Sequence, residues 1–103
     1  MTEGVGLMAK DSTDDPQPAN WFVYLLRCGD ESLYTGIARD VIRRCRQHNA
    51  GAASKYTRSR RPVALVYQEV LSSRSSALKR ELAIKAMTRR QKLTMIGQGL
   101  DKP

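Results

Sequence analysis

The apolar pattern along the chain begins at Trp21. From there to Cys28 the residues read Trp-Phe-Val-Tyr-Leu-Leu-Arg-Cys, aromatic and aliphatic almost without a break. Such a run predicts a strand buried on both faces for most of its length. Gly29-Asp30-Glu31-Ser32 is a turn signal, and Leu33 to Ile37 is short and β-competent, so the two segments form a hairpin. Asp40 then fits a helix N-cap, with the helix running from Val41 to about Asn49 and Gly51 beyond its end. Residues 50 to 62 read as a basic loop closed by Pro62, and Val63 to Val70 as a third strand. Ser73 or Ser75 caps a further helix to about Met87. Thr88-Arg89-Arg90-Gln91 is a capping box for a last short helix that carries Leu93 and Ile96 and stops at Gly97. The order is ββαβαα, an α+β or mixed sandwich with helices against one or both sheet faces.

Residues 1 to 20 differ from the rest. They are rich in Gly, Ser, Thr and Asp, include Pro16 and Pro18, and have no apolar period, so they read as a disordered leader. The domain is expected over residues 21–97, with 98–103 as a short tail. A chain of 103 residues has room for one compact core. The basic-then-apolar pattern of a signal peptide is absent, as is any apolar run long enough to span a bilayer, so the expected location is the cytoplasm, away from membranes. Cys28 and Cys45 lie on different predicted elements and make no CxxC pair, which argues against zinc and for small core residues.

Charge sharpens the picture. The formal net charge is +8. The leader holds Glu3, Asp11, Asp14 and Asp15 against Lys10, a balance of −3, so the remainder carries +11. A compact body this basic calls for a polyanionic partner. The lack of an amphipathic helix with a bulky aromatic face favours nucleic acid over a membrane surface.

Four polar features stand out, each with an ordinary structural explanation. Tyr24 and Tyr34 sit one on each hairpin strand. They share a face only if the connecting loop has an odd number of residues, or if a bulge at Gly29 or Gly36 shifts the register; otherwise they are surface rings. Arg44 and His48, four apart, share a helix face. A cation beside an imidazole is unfavourable without an anion between them, and a phosphate would serve; a solvated basic face is the alternative. Glu81 lies in Leu78-Lys79-Arg80-Glu81-Leu82-Ala83-Ile84-Lys85, beside an apolar stripe expected to include Leu78 and Leu82. It suits a semi-buried carboxylate, or an i,i+4 salt bridge to Lys85. Lys55, Tyr56, Arg58, Arg60 and Arg61 fill the basic loop, where arginines reach phosphate and a tyrosine can stack on a base; a solubilising loop would look the same.

The order and spacing of these residues resemble the GIY-YIG nuclease family, in particular its small stand-alone bacterial members, over Trp21 to about Ile96. The first motif appears as Phe22-Val23-Tyr24 and the second as Tyr34-Thr35-Gly36, with Arg44 and His48 ten and fourteen positions after Tyr34. Phe22 replaces the glycine of the family name. No Asn follows the glutamate helix where many members have one, leaving Lys85 or Lys92 to stand in. The resemblance implies a single domain with a three-stranded antiparallel sheet flanked by helices. It implies that Glu81 holds one Mg²⁺ or Mn²⁺, that Arg44 contacts the scissile phosphate and that Tyr34 orients or deprotonates water. Tyr24 and His48 would position water or relay the proton, and Gly36 would permit close backbone approach. Lys55, Tyr56, Arg58, Arg60, Arg61 and Lys85 become candidate nucleic-acid contacts. The expected substrate is DNA, with specificity supplied by the basic loop, by DNA shape or by a partner protein. The competing expectations are a non-catalytic nucleic-acid-binding module on the same fold and a basic protein that docks on an acidic partner.

Overall fold

A computed structural model describes residues 20–100. Three strands, β1 (Trp21–Arg27), β2 (Leu33–Ala38) and β3 (Ala64–Leu71), form one antiparallel sheet in the order β2-β1-β3. The helices are α1 (Val41–Asn49), α2 (Lys55–Arg58), α3 (Arg74–Lys85) and α4 (Arg89–Leu100). Apart from the extra turn of α2, this is the α+β order read from the sequence.

The central strand explains both cores. Tyr24 and Leu26 point to one face and join Cys28, Ala38, Val41 and Val63, with Phe22, Tyr34, Cys45 and Leu65 packed alongside. Val23 and Leu25 point to the other and join Ala77, Ile84 and Ile96. Residues 23 to 26 are all at most 1% exposed, as an uninterrupted apolar run requires when helices cover both sheet faces. α1 closes the first face; α3 and α4 close the second.

The hairpin settles the tyrosine question. Arg27 pairs with Leu33, so the connecting loop is residues 28 to 32, an odd number. Tyr24 therefore faces Gly36 and Leu26 faces Tyr34, and both tyrosines project from the same side without a bulge. Glu31 takes a positive φ of 71°, and Asp30 ties the turn by accepting from the Ser32 N–H and hydroxyl. The sheet's one register shift lies between β1 and β3, where Leu25 pairs with Tyr67 and Leu26 with Leu65.

The expected caps form. The Asp40 carboxylate accepts the Arg43 N–H at 3.0 Å. Ser73, not Ser75, caps α3, and Thr88 and Gln91 bond each other's backbone N–H reciprocally. Several boundaries differ from expectation. The loop 50–62 contains the one-turn helix α2, capped by Ser54. Strand β3 runs one residue later at each end than the expected Val63–Val70. Helix α3 ends at Lys85, short of Met87. Helix α4 passes through Gly97 to Leu100, so residues 98 to 100 belong to it rather than to a tail. A glycine costs an interior helical position about 1 kcal/mol and does not by itself stop a helix. The α3 stripe is also different: Ala77 and Ile84 are buried, whereas Leu82 is 67% exposed. The leader lies outside the described residues except for Asn20, as do residues 101–103. Among the described residues no helix is long and apolar enough to cross a membrane.

Candidate active site

The first sheet face carries a cluster of rings. Tyr24 comes from β1, Tyr34 from β2 and His48 from the last turn of α1. The Tyr24 and Tyr34 ring centroids are 6.4 Å apart, and His48 sits edge-on to both, at 5.9 Å and 5.0 Å. Gly36 makes this possible. A Cβ there would lie 2.6 Å from the Tyr24 hydroxyl oxygen, so the missing side chain is the bed for the Tyr24 ring. The close approach is thus ring to backbone within the hairpin.

His48 is 1% exposed and bonded through both nitrogens. Nε2 lies 2.9 Å from the Tyr24 hydroxyl and Nδ1 lies 2.7 Å from Thr57 Oγ1. Thr57, wholly buried, is in turn 2.9 Å from Ser54 Oγ, which also accepts the Thr57 N–H. Every member has a partner, so this buried polar chain carries no desolvation cost left unmet. Burial, and next the Arg44 charge, hold the His48 pKa below the usual imidazole value. The Tyr24 phenol is pushed well above its usual range, chiefly by burial and then by Tyr34, against a lowering influence from Arg44. Near neutral pH His48 is therefore a neutral imidazole and Tyr24 a protonated phenol.

Arg44, one turn before His48, faces the same cluster, and its charge acts on both Tyr24 and His48. Glu81, on α3, is near enough for its carboxylate to raise the Tyr24 pKa in turn. Its side chain is only 15% exposed. It lies between Ala77 and Ile84 on the buried line of α3, four residues after one and three before the other. Lys85 Nζ stands 3.4 Å from Glu81 Oε2, so the structural alternative read from the sequence is realised in the same residue. Among the described residues no group of three or more His, Cys, Asp and Glu could hold a metal.

The basic segment divides. Tyr56 stacks beside Tyr34 at 5.8 Å and extends the ring cluster. The Arg60 guanidinium lies over Tyr56 at 3.8 Å, donates to Asp30 Oδ2 at 3.0 Å and to the Tyr56 carbonyl at 2.9 Å. Arg61 donates to the Arg58 carbonyl at 2.9 Å. Arg60 thus ties the segment to the hairpin turn and to its own backbone, Arg61 braces it internally, and Lys55, Arg58 and Arg61 are exposed. Asn49 pins this segment to the sheet, donating to the Val63 carbonyl and accepting its N–H.

Sequence reasoning missed Thr57, Ser54 and Asp30. The one signal for the first two was the Ser-x-x-Thr spacing of an N-cap within the supposed loop. It also missed a groove of about 360 Å³ between α1 and the start of β1, lined by Trp21, Ala38, Arg39, Asp40, Arg43, Arg44 and Gln47.

Residues 20–94 match the model of the GIY-YIG catalytic domain. A UPF0213 protein of Staphylococcus epidermidis is 58% identical over 78 residues, 76% of this chain and 95% of its own length. A UPF0213 protein of Staphylococcus haemolyticus is 54% identical over the same span. Among solved structures, the UPF0213 protein BH0048 of Bacillus halodurans is 39% identical with a TM-score of 0.51, covering 77% of this chain and 84% of that one. The protein EF2693 of E. faecalis is 35% identical with a TM-score of 0.56, covering 82% and 90%. With residues 20–94 matching the domain and relatives more than half identical over most of their own length, the chain belongs to the GIY-YIG family.

Proposed function

We propose that this protein is a metal-dependent endonuclease that hydrolyses phosphodiester bonds of DNA, acting in its repair or processing. The observation that carries this reading is the single cluster of Tyr24, Tyr34 and His48, with Arg44 and Glu81 close enough to act electrostatically on Tyr24. A plain scaffold has no need of three polar rings packed together with a cation acting on them.

The roles follow from exposure and charge. Tyr34 is half-buried, whereas Tyr24 and His48 are sealed. Tyr34 is therefore the phenol that meets the attacking water. Tyr24 and His48 are positioning residues: a protonated phenol and a neutral imidazole that hold each other and pack against the Tyr34 ring, fixing its place. Arg44 draws the non-bridging phosphate oxygens and stabilises the charge that grows on them. Glu81 is the residue that would hold Mg²⁺ or Mn²⁺. With no group of three or more His, Cys, Asp or Glu among the described residues, a site built on one carboxylate would suit a hard ion that relies on water and phosphate for other ligands. Such an ion supplies positive charge at the leaving oxygen. Lys85 now neutralises that carboxylate and competes with a metal for it. Choice of DNA site falls to the exposed cations Lys55, Arg58 and Lys85, to DNA shape, or to a partner protein.

The test is cleavage of duplex, single-stranded, flapped and branched DNA, and of RNA, by purified protein in Mg²⁺ or Mn²⁺, with Glu81→Gln alongside. The wild type should cleave and Glu81→Gln should not. Equal inactivity on every substrate sinks the enzyme reading. The Glu81–Lys85 pair favours a second reading, a nucleic-acid-binding module without catalysis. That reading requires salt-sensitive binding that ignores metal and is unchanged in Tyr34→Phe.

A further inference from the structure

We propose that the groove beside Arg44 is a subsite for one unpaired nucleotide of the nucleic-acid strand, with Trp21 stacking on its base and Arg39 and Arg43 holding its phosphates. The inference deepens the nucleic-acid reading of the neighbouring cluster and rests on it.

Three observations carry the subsite. First, the groove shares Arg44 with the ring cluster, so a strand whose phosphate meets Arg44 continues into it. Second, its charge is right. Arg39 and Arg43 are exposed, and Arg74, at the start of α3, borders Trp21. Asp40 is the one carboxylate in the lining, and it is committed to capping α1. Third, half-buried Trp21 and exposed Tyr56 are in different states. Arg60 already covers Tyr56 at 3.8 Å, which disqualifies the aromatic of the basic loop as a base platform. Arg39 and Arg74 each stand 5.8 Å from the Trp21 centroid, at the outer limit of a cation–π contact. They are not stacked on the ring and can turn to phosphate while a base takes its face. A base inside a duplex offers no free face, so the nucleotide must be unpaired or terminal.

The groove volume of about 360 Å³ lies at the small end of the range for ligand sites, about 300–1,000 Å³. That suits one nucleotide. Register supports the grouping. Phe22 pairs with Ala38, the last residue of β2, so Trp21 and Arg39 are the residues that flank this final pair.

Trp21 is the chain's single tryptophan, so its emission reports this ring with no other indole contributing. The probe is a short mixed-sequence deoxyoligonucleotide, titrated in EDTA so that cleavage plays no part, together with an abasic oligonucleotide of equal length. Saturable quenching by the intact probe is expected, with the abasic probe binding about tenfold more weakly and quenching little. Arg39→Gln/Arg43→Gln, two exposed changes that spare the core, should lower the slope of log affinity against log salt by about 1.4, roughly 0.7 for each phosphate contact on a single strand. Equal quenching by intact and abasic probes overturns the stacking role. Binding seen by anisotropy with silent Trp21 emission, or an unchanged salt slope in the double variant, overturns the subsite. Quenching without cleavage in Mg²⁺ removes the nuclease reading and leaves the subsite standing; cleavage with silent Trp21 does the opposite.

Discussion

The Tyr24 hydroxyl and His48 Nε2 lie 2.9 Å apart, sealed from solvent between β1 and α1. Twenty-four residues separate them in the chain, and neither has another side-chain partner that could replace the other. This bond joins the sheet to the helix that carries Arg44, so it sets where Arg44 stands relative to Tyr34. Tyr24→Phe keeps the ring and deletes the bond, leaving a buried imidazole nitrogen unpaired. The expected cost is about 1–3 kcal/mol in urea denaturation, with a loss of cleavage beyond what the folded fraction explains.

The other side of the imidazole gives a sharper comparison. Thr57→Val preserves shape and removes the hydroxyl that meets His48 Nδ1. It should destabilise by about 1–3 kcal/mol. Thr57→Ser, which keeps the oxygen, should lose less and retain activity. Equal losses in the two variants would show that the methyl packing, not the hydrogen bond, holds His48.

Two glycines should respond to alanine with opposite signs. At Gly36 a Cβ meets the Tyr24 hydroxyl at 2.6 Å and its ring carbon at 2.7 Å, so Gly36→Ala must drive the ring away from His48. The expected cost is about 1–3 kcal/mol, with activity lost. At Gly97 nothing lies within 4 Å. Gly97→Ala should stabilise by up to about 1 kcal/mol through helix propensity and leave cleavage unchanged. Thermal unfolding of the two variants against wild type decides the matter.

Stability should fall on mild acidification. The His48 pKa is depressed in the fold by burial and by Arg44. The unfolded chain therefore binds more protons below the ordinary imidazole value of about 6.5, and folding stability declines as pH drops from there to the folded pKa. His48 is the only histidine, so its ring signals can be followed by NMR without assignment. Arg44→Gln should raise its pKa only in part, because burial is the larger cause. A histidine that titrates at its ordinary value would contradict the buried, doubly bonded ring.

Lys85 offers a direct probe of Glu81. Lys85→Met removes the cation 3.4 Å from the carboxylate. Helical i,i+4 pairs contribute about 0.3–0.5 kcal/mol, so Mn²⁺ affinity measured by calorimetry should improve by about twofold. No change, with Glu81→Gln also indifferent, would remove Glu81 as the metal-holding residue.

The elements were largely legible in the chain because their signals are local. The run from Trp21 to Cys28, the Asp40 cap and the Thr88–Gln91 box each depend on neighbours within a few residues. The misjudged boundaries have local causes too. The Ser54–Thr57 turn hid among cations, and Gly97 looked like a stop where the helix simply continued. The α3 stripe was misread because Leu82 is more hydrophobic than Ala77. Only the tight approach of α3 to the sheet decides that the small residue goes inside.

The sequence by itself determined the strands and the three longer helices, the basic body, and the series Tyr24, Tyr34, Arg44, His48 and Glu81 that points to the GIY-YIG family. It left open whether the two tyrosines share a face, because that depends on the parity of a loop whose ends only strand pairing fixes. It could not sort the cations. Arg60 and Arg61 are spent on carbonyls, Asp30 and Tyr56, while Arg39 and Arg43 line a groove with Trp21. Charge is a property of the residue, but the partner that charge meets is chosen by packing. Tertiary structure alone brings residues twenty-four and nine positions apart within hydrogen-bond reach, and there the Tyr24–His48–Thr57 chain was decided.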